Sequence, residues 1–323
     1  MDSRRGRHYR SRLMRGQPRR SLASRKGRRA ARPSSARPPV RGRSSGAALD
    51  PGSRDTWEGA AARWERHEPH LLHALGAVDP VLFRALDVRP GQRILDIGTG
   101  TGEPALALAR LVGPTGSVDG VDVAGEMLAV ARRRARRVGV RNLTLHRSDF
   151  AAWHTDLRFD RVVSRYGMMF LPDVPAALAR IRACLRPAGR VAFAVWASEA
   201  KNPSRGMIDR ELRRWVPGAH HPDADGPHPM RFGRRGSLPA LLVRAGFRDV
   251  ALEPAPVQWV YESGEQFVDI QFSTSSATRA WLARLSPRLH AHVRSRIARA
   301  AERWRTGAVI RIPGLAWVIS ARR

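Results

Sequence analysis

The spacing of apolar and polar positions predicts a chain of alternating strands and helices after about residue 57. Short runs that are apolar on both faces and bounded by turn residues are typical of buried strands. Stretches at helical spacing lie between them. The predicted strands are 94–97, 117–123, 142–146, 159–164, 191–196, 248–254 and 308–320; the predicted helices include 57–75, 80–86, 105–112, 124–138, 174–185, 205–215 and 237–245. This alternation indicates an α/β fold.

The first predicted strand, 94–97, leads into the most informative motif of the chain. Glycines occupy alternate positions of segment 98–102, and Pro104 opens a helical run without a breaker. A strand, a glycine turn and a helix bring backbone N–H groups close to a nucleotide-like ligand. The dinucleotide fingerprint needs a third glycine where this chain has Glu103, which disfavours an NAD-dependent enzyme. Asp96 stands where an acid would face a phosphate, so the motif favours a cationic or amino-bearing ligand.

Composition limits the class of protein. The chain has 323 residues, of which 42% are hydrophobic, enough for one large domain or two small ones. Cys184 is the only cysteine, which excludes an internal disulfide and favours a reducing, cytoplasmic setting. Because this cysteine falls on the apolar face of a predicted helix, we expect a buried structural thiol. No window approaches about 18 consecutive apolar residues, so no membrane span is predicted.

The net charge of +30 is concentrated at the N-terminus. Segment 1–46 has 16 Arg and Lys residues and a single acid. The chain has only two lysines, Lys26 and Lys201, although lysine also contacts phosphate. Such a skew is more typical of a codon bias than of selection for nucleic acid.

Segment 1–50 has too few apolar residues to offset the entropy of ordering and is expected to be disordered. Three interpretations stay open for this Arg-rich tail. It is an arm that binds polyanions, a transit-like segment, or translated upstream sequence without a role.

Segment 96–102 resembles the first motif of the class I S-adenosylmethionine-dependent methyltransferases, an acid followed by alternating glycines. Segment 165–170, with its arginine, aromatic residue, glycine and Met-Phe, and segment 245–247 (Ala-Gly-Phe) resemble bacterial enzymes of the ubiquinone/menaquinone C-methyltransferase type. The resemblance covers about residues 57–323 and is most specific over 93–196. It implies a Rossmann-like, doubly wound sheet of seven mostly parallel strands, with strand seven antiparallel and a helical N-terminal lid.

The resemblance also implies a site for S-adenosyl-L-methionine at the carboxyl ends of the strands. In such enzymes an acid after strand two accepts from the ribose hydroxyls, a role that falls to Asp122, and a methionine packs on the adenine, a role that falls to Met127. Asp149 would accept from the adenine amine, with Phe150 beside the ring. The cofactor-binding residues so implied are Asp96, Gly98, Thr99, Gly100, Gly102, Asp122, Val123, Met127, Asp149, Phe150 and Ser164. No residue stands out as catalytic; the candidates are Tyr166, His154 and His146.

The expected organisation is a disordered tail (1–50) followed by one methyltransferase domain (51–323). Within the domain, the core is 91–196, a long surface loop with one helix is inserted at 200–230, and a helical insertion occupies 264–304 before strand seven. The loop contains three histidines, His220, His221 and His228, which are too loosely placed to predict a metal site.

The predicted reaction is transfer of a methyl group from S-adenosylmethionine to a small, hydrophobic metabolite, such as a quinone precursor or a polyketide-like compound, by in-line displacement. The chain lacks the Pro-Pro-aromatic motif that amine methyltransferases of nucleic acids carry after strand four. Nucleic acid is therefore disfavoured as substrate. The alternative is an RNA methyltransferase or a nucleic-acid-binding protein that uses the basic tail.

Overall fold

The computed structural model describes residues 54–216 and 226–323. The expected disordered tail, with its possible role in nucleic-acid binding, lies outside these residues, as do His220 and His221.

The described residues are organised around one mixed sheet. Its order is β3-β2-β1-β4-β5-β8-β6, and the short β7 pairs with β8. Strands β1 to β5 are parallel, whereas β8 is antiparallel to both β5 and β6. The strands are β1 Arg93–Ile97, β2 Ser117–Asp122, β3 Leu143–Arg147, β4 Phe159–Arg165, β5 Leu185–Trp196, β6 Arg248–Tyr261, β7 Arg305–Thr306 and β8 Val309–Arg322. The predicted doubly wound sheet with an antiparallel last strand is confirmed, and β7 is an addition to it.

Helices cover the sheet and one of its edges. They are α1 Arg54–Glu58, α2 Ala61–Arg66, α3 Glu68–Gly76, α4 Asp79–Leu86, α5 Ala105–Val112, α6 Gly125–Arg137, α7 Val174–Cys184, α8 Pro203–Trp215, α9 Ser237–Arg244, α10 Gly264–Thr274, α11 Ser276–Leu282 and α12 Pro287–Glu302. Each described helix is too short or too polar to cross a membrane. Cys184, at the end of α7, is buried and donates to the carbonyl of Ile181, as expected for a structural thiol.

The prediction of a single N-terminal helix over 57–75 is wrong, because three short helices occupy this segment. Gly59 lies in a turn between α1 and α2. His67, with φ −100° and ψ 16°, separates α2 from α3, and Pro69 lies in the first turn of α3. Glycine and proline interrupt a helix more strongly than apolar spacing can compensate. The breaks allow α1 and α2 to pack against α6 while α3 packs against β6.

Strands five and six are both longer than predicted. The expected turn at 186–190 is a bulge within β5, because Phe159 pairs with Leu185 while Arg161 pairs with Arg190. Strand β6 continues through two prolines, at positions 254 and 256, as far as Tyr261. Proline is tolerated there because β6 is the edge strand of the sheet, where one row of N–H groups has no strand to bind.

The segment 200–230 is more than the surface loop that the sequence predicts. Helix α8 begins at Pro203 and buries Met207, Ile208 and Leu212, and it packs against α12. Asn202, which is 2% exposed, donates to the carbonyls of Ala197 and Leu315 at 3.1 Å each. The described part of this segment is therefore built into the core and carries side chains toward the cavity described next.

Candidate functional site

A cavity of about 340 Å³ opens at the carboxyl ends of the parallel strands. Open α/β sheets bind their ligands at this edge because the connecting loops diverge there. The wall is formed by the loops that follow β1, β2, β3, β4 and β5, by the end of β6, by the N-terminal helices, and by residues of α8, α10 and α11. Helices α1 to α3 contribute Thr56, Trp57, Trp64, Leu71 and Leu75, in the position that the sequence predicts for a helical lid.

The glycine loop after β1 forms the floor of the cavity. The backbone N–H of Gly100 donates to the carboxylate of Asp122 at 2.8 Å, and Gly98 and Thr99 donate to the carbonyl of Val121. Gly102 has φ 105°, and a Cβ there would lie 3.0 Å from Leu106 Cδ1 and 3.1 Å from Ala131 Cβ. Gly102 thus allows the helix that follows to pack closely against α6.

Gly100 is required for a different reason. Its φ is 51°, in the left-handed region that favours glycine, but a Cβ built on it meets nothing within 4 Å. Gly100 also lines the cavity. The loop therefore presents bare backbone to the open space, where a ligand can approach it.

Asp122, at the end of β2, connects the glycine loop to helix α6. Its Oδ2 accepts from Gly100 and its Oδ1 accepts from the N–H of Ala124 at 2.9 Å. Burial raises the pKa of this carboxyl, and the two N–H donors offset part of that rise. Val123 and Met127 line the same side of the cavity. Met127 is 2% exposed and packs with Ala124 in a small apolar cluster.

Asp96 is fully buried in β1 and does not itself line the cavity. Neither of its carboxylate oxygens has a hydrogen-bond partner within the described residues. Burial raises its pKa to about 7, and the neighbouring Thr99 hydroxyl and Arg165 guanidinium lower it only in part. A buried carboxylate without a partner is costly, and it creates a negative potential beneath the glycine loop.

Glu103, at the end of the glycine loop, adds a second acid. One oxygen accepts from Arg134 Nη2 at 3.1 Å, while the other, Oε2, is buried without a partner in the described residues. Arg134 also donates to the carbonyl of Thr101 at 2.7 Å and pairs with Glu68 of α3 at 2.6 Å. This buried arginine thus joins the glycine loop to the N-terminal helices.

Asp149 and Phe150 lie at the end of β3, where the sequence places them, and both line the cavity. The Asp149 side chain is exposed, and its Oδ1 accepts from the N–H of Ala151 at 2.9 Å. Phe150 is buried, with its ring centroid 6.3 Å from that of Trp153. The structure therefore brings together the predicted residues of all three loops after β1, β2 and β3.

Besides Asp96 and Gly102, three more of the predicted residues do not line the cavity. Ser164 is fully buried in β4, and its hydroxyl donates to the carbonyl of Ile97 at 2.7 Å, which joins two strands. His154 is exposed in the loop after β3 and lies away from the cavity wall. His146 is held by Asp119, with Nε2 2.8 Å from Oδ1. Ser164 and the two histidines are thus placed as supporting or surface residues.

Tyr166, the third catalytic candidate, lines the cavity directly after β4. It has φ 61°, an unfavourable value for a residue with a side chain. Its ring stacks on that of Trp196 with centroids 4.4 Å apart, and its hydroxyl is buried without a partner in the described residues. Burial raises its pKa well above the usual range. The phenol is therefore protonated at neutral pH and can donate a hydrogen bond, but it is not a base.

Glu58 does not line the cavity itself but supports the residues that do, through a contact that the sequence did not predict. Its carboxylate accepts from the first N–H groups of α6, at Gly125 (2.9 Å) and Glu126 (2.7 Å), and pairs with Arg147 at 2.9 Å. The neighbouring Trp57 contacts Phe170 across the cavity, with ring centroids 5.1 Å apart. A carboxylate at a helix N-terminus is a local signal only when it is close in sequence, so no pattern could have indicated this contact.

No three histidine, cysteine or carboxylate side chains converge as metal ligands within residues 54–216 and 226–323. His228 is buried, and its Nδ1 accepts from the N–H of Met230 at 3.1 Å.

Comparison with known proteins identifies the domain. Residues 94–189 match the model of a family described as a methyltransferase domain. Aklanonic acid methyltransferase DauC of Streptomyces sp. (strain C5) is 41% identical over 104 residues, which cover 32% of this chain and 47% of DauC. Demethylmenaquinone methyltransferase of Bacillus cytotoxicus is 34% identical over 110 residues, which cover 34% of this chain and 46% of that protein. The matches to both span about half the length of these relatives.

A solved structure supports the fold. Phosphoethanolamine N-methyltransferase 2 of Haemonchus contortus superposes with a TM-score of 0.52 at 19% identity, over 84% of this chain and 60% of that one. At this identity the likeness shows the Rossmann-like fold alone.

Proposed function

We propose, from the premise that this chain contains a class I S-adenosylmethionine-dependent methyltransferase domain, that it transfers a methyl group from S-adenosylmethionine to a small, hydrophobic organic molecule by in-line displacement. The single observation that carries the proposal is the set of carboxylates around the glycine loop. Asp96, Glu103 and Asp122 converge there, and Asp96 and one oxygen of Glu103 lack partners in the described residues.

The donor set fits a cationic nucleoside better than a pyrophosphate. A carboxylate only accepts hydrogen bonds, so it matches hydroxyl and amino groups and repels phosphate. Gly100 leaves open space above bare backbone, which allows a ligand to approach closely. When bound, S-adenosylmethionine supplies a reactive methyl group on a positively charged sulfur.

The chain's own residues then have distinct roles in the proposal. Asp122 holds the ribose, and Asp149 and Phe150 hold the adenine, with Met127 packed beside it. Gly98, Thr99 and Gly100 give backbone contact to the methionine part, Gly102 lets the following helix pack against α6, and Asp96 and Glu103 supply negative charge. Alignment of two ligands in a dry cavity can supply about 7–11 kcal/mol of the barrier. The site therefore needs little further chemistry unless the acceptor must lose a proton.

The acceptor is proposed to be a quinone precursor or a polyketide-like compound. The names of these two relatives indicate that they act on aklanonic acid and demethylmenaquinone, and both compounds are small organic molecules. The aromatic side chains of the cavity wall, among them Trp57, Phe170 and Trp196, are suited to such ligands.

Calorimetric titration with S-adenosylmethionine tests the cofactor proposal. We expect Asp122→Ala to lower the affinity by more than about tenfold, because the variant removes the carboxylate that accepts hydrogen bonds from the ribose. Asp119→Asn is the matched control: Asp119 lies in the same strand, but its carboxylate pairs with His146, so the affinity should not change. Equal affinities of wild type and Asp122→Ala would refute the assignment of the ribose to Asp122.

A further inference from the structure

The cavity has two walls of different charge. The loops after β1, β2 and β3 carry Glu103, Asp122 and Asp149. We call the other wall, on the β5-β8-β6 half of the sheet, the acceptor wall. It consists of Trp196, Asn202, Ser204, Arg205, Trp259, Gln271, Thr274 and Ser275. Of the described residues that line the cavity, the cationic ones are Arg205 in this wall and Arg165, the last residue of β4.

The positive charge of Arg205 is neutralised by a carboxylate of the same helix. Asp209, one turn further along α8, receives two hydrogen bonds from it, at 2.8 Å from Nε and 2.6 Å from Nη2. A third bond joins Arg205 Nη1 to the hydroxyl of Thr278 at 3.3 Å. The side chains of Arg205 and Asp209 are 13% and 11% exposed. Such a bidentate, buried pair contributes no net charge to the cavity.

Arg165 is neutralised in the same way. Its Nη1 donates to both oxygens of Asp79, at 3.1 and 2.9 Å, and its Nη2 donates to the carbonyl of Glu103 at 3.2 Å. The side chain of Arg165 is 7% exposed. An anionic ligand would therefore have to compete with Asp79 for a group that is already satisfied.

Four polar side chains of the acceptor wall, those of Asn202, Gln271, Thr274 and Ser275, are also engaged within the protein. The Asn202 amide binds the carbonyls of Ala197 and Leu315. Gln271 donates to the hydroxyl of Tyr261 at 2.9 Å, and the Ser275 hydroxyl donates to Thr278 at 2.9 Å. What this wall offers a ligand is chiefly aromatic surface.

That surface is formed by a row of stacked rings. Tyr166 lies on Trp196, and Trp196 lies 6.3 Å from Trp259 at an interplanar angle of 30°. Apolar contact with aromatic rings favours flat ligands, whereas a charged ligand would lose its hydration without gaining a partner.

We propose that the acceptor wall selects an uncharged, planar aromatic methyl acceptor, because the wall presents stacked aromatic rings and each guanidinium group at the described cavity wall is already paired with a carboxylate of the protein. This inference rests on the proposed function, because only a methyltransferase has a methyl acceptor. The selectivity itself is a property of binding and can be measured without methyl transfer. An acceptor that carries a carboxylate or a phosphate meets only cations that are already paired among the described residues of this cavity. Of the acceptors named under the proposed function, the inference therefore favours a quinone precursor over a carboxylic acid such as aklanonic acid.

A matched pair of probes tests the selectivity: 2-naphthol, which is neutral at pH 7, and 6-hydroxy-2-naphthoate, which has an added carboxylate. Affinities are measured by quenching of tryptophan fluorescence, with and without S-adenosylhomocysteine. We expect the neutral probe to bind at least about tenfold more tightly than the anion. Equal or tighter binding of the anion by the wild type, or binding of neither probe, would overturn the proposal.

Variants of the two ion pairs sharpen the test. Asp209→Asn leaves Arg205 without its counter-ion, so it should strengthen binding of the anionic probe and reduce the preference to within about threefold. Asp79→Asn is the second variant, and it removes the counter-ion of Arg165. The control is Asp269→Asn, because Asp269 of α10 forms a surface pair with Arg294 of α12. This variant should keep the wild-type ratio. A wild-type ratio in both cavity variants would contradict the proposed origin of the selectivity.

The failure of the proposed function has a different signature. If S-adenosylhomocysteine does not bind in a separate calorimetric titration, the methyltransferase assignment fails, while the ratio of the two probes in its absence still reports on the acceptor wall.

Discussion

Glu58 and Gly125 are joined across 67 positions of the chain by a hydrogen bond of 2.9 Å from the N–H of Gly125 to the Glu58 carboxylate. The bond fixes helix α1, with Trp57, on the first turn of α6. That turn follows directly on the loop of Asp122. The helix that covers the cavity is thus attached to the part of the floor proposed to hold the adenosine.

Glu58→Ala is expected to weaken binding of S-adenosylmethionine about fivefold, mainly by faster dissociation. The reason is that a helix-capping carboxylate contributes about 1 kcal/mol to the attachment of α1. Stopped-flow measurement of dissociation checks the result. Glu65→Ala is the control, because Glu65 lies on the neighbouring α2 in an exposed pair with Arg133 and should have little effect. Unchanged dissociation in Glu58→Ala would exclude this role.

The same contact has a predicted pH dependence. Burial raises the pKa of Glu58, but the N–H groups of Glu126 and Gly125 and the charge of Arg147 outweigh it and leave the pKa lowered. The contact is therefore fully present above the ordinary pKa of a glutamate and is lost as the pH falls through the lower, folded value.

Asp96 predicts that cofactor binding releases protons. Its pKa of about 7 means that the carboxyl is partly protonated at neutral pH, and a cation bound nearby would lower that pKa. Affinity should therefore rise as the pH increases through 7, with release of up to about one proton on binding at lower pH. Calorimetry in buffers of different ionisation enthalpy measures the release, and Asp96→Asn should abolish it. An equal release in this variant would assign the proton to another group.

Alanine substitutions at two glycines of the same loop are expected to affect different properties of the protein, namely its stability and its affinity for the cofactor. Both have positive φ, so alanine at either position costs about 1–2 kcal/mol in backbone strain. Gly102→Ala adds an overlap with Leu106 and Ala131, whereas Gly100→Ala points into open space. Thermal unfolding should show the larger loss of stability for Gly102→Ala, and calorimetry the larger loss of affinity for Gly100→Ala. The reverse ranking would contradict the packing described here.

The parts of the site that could be predicted from the sequence are those that a short segment determines. Segment 96–102 and Asp122 each follow a buried strand, and a parallel sheet brings the ends of such strands together whatever the rest of the chain does. Glu58 and Arg134 could not be predicted, because their partners are distant in sequence and depend on how the N-terminal helices turn around the sheet. Ser164 does not line the cavity because its side chain joins two strands, a role that its position near the end of β4 does not reveal.

The fold was predictable to a similar limit. Alternation of strands and helices indicates the sheet, but the prolines at 254 and 256 end the predicted strand early, because their tolerance depends on β6 being at the edge. The edge is a property of the whole topology. Likewise, Gly59 and Pro69 divide a helix that apolar spacing alone predicts to be continuous.

Two buried tyrosines should respond to loss of their hydroxyl groups with opposite sign. The Tyr166 hydroxyl has no partner in the described residues, so Tyr166→Phe should raise the free energy of unfolding by about 1 kcal/mol, since the stacking on Trp196 remains. The Tyr261 hydroxyl accepts from Gln271, so Tyr261→Phe leaves that amide without its acceptor and should lower stability by about 1 kcal/mol. Denaturant titration of both variants without ligand is the measurement. A loss of stability in Tyr166→Phe would mean that the hydroxyl is already satisfied in the free protein, and it would no longer be a donor available to a ligand.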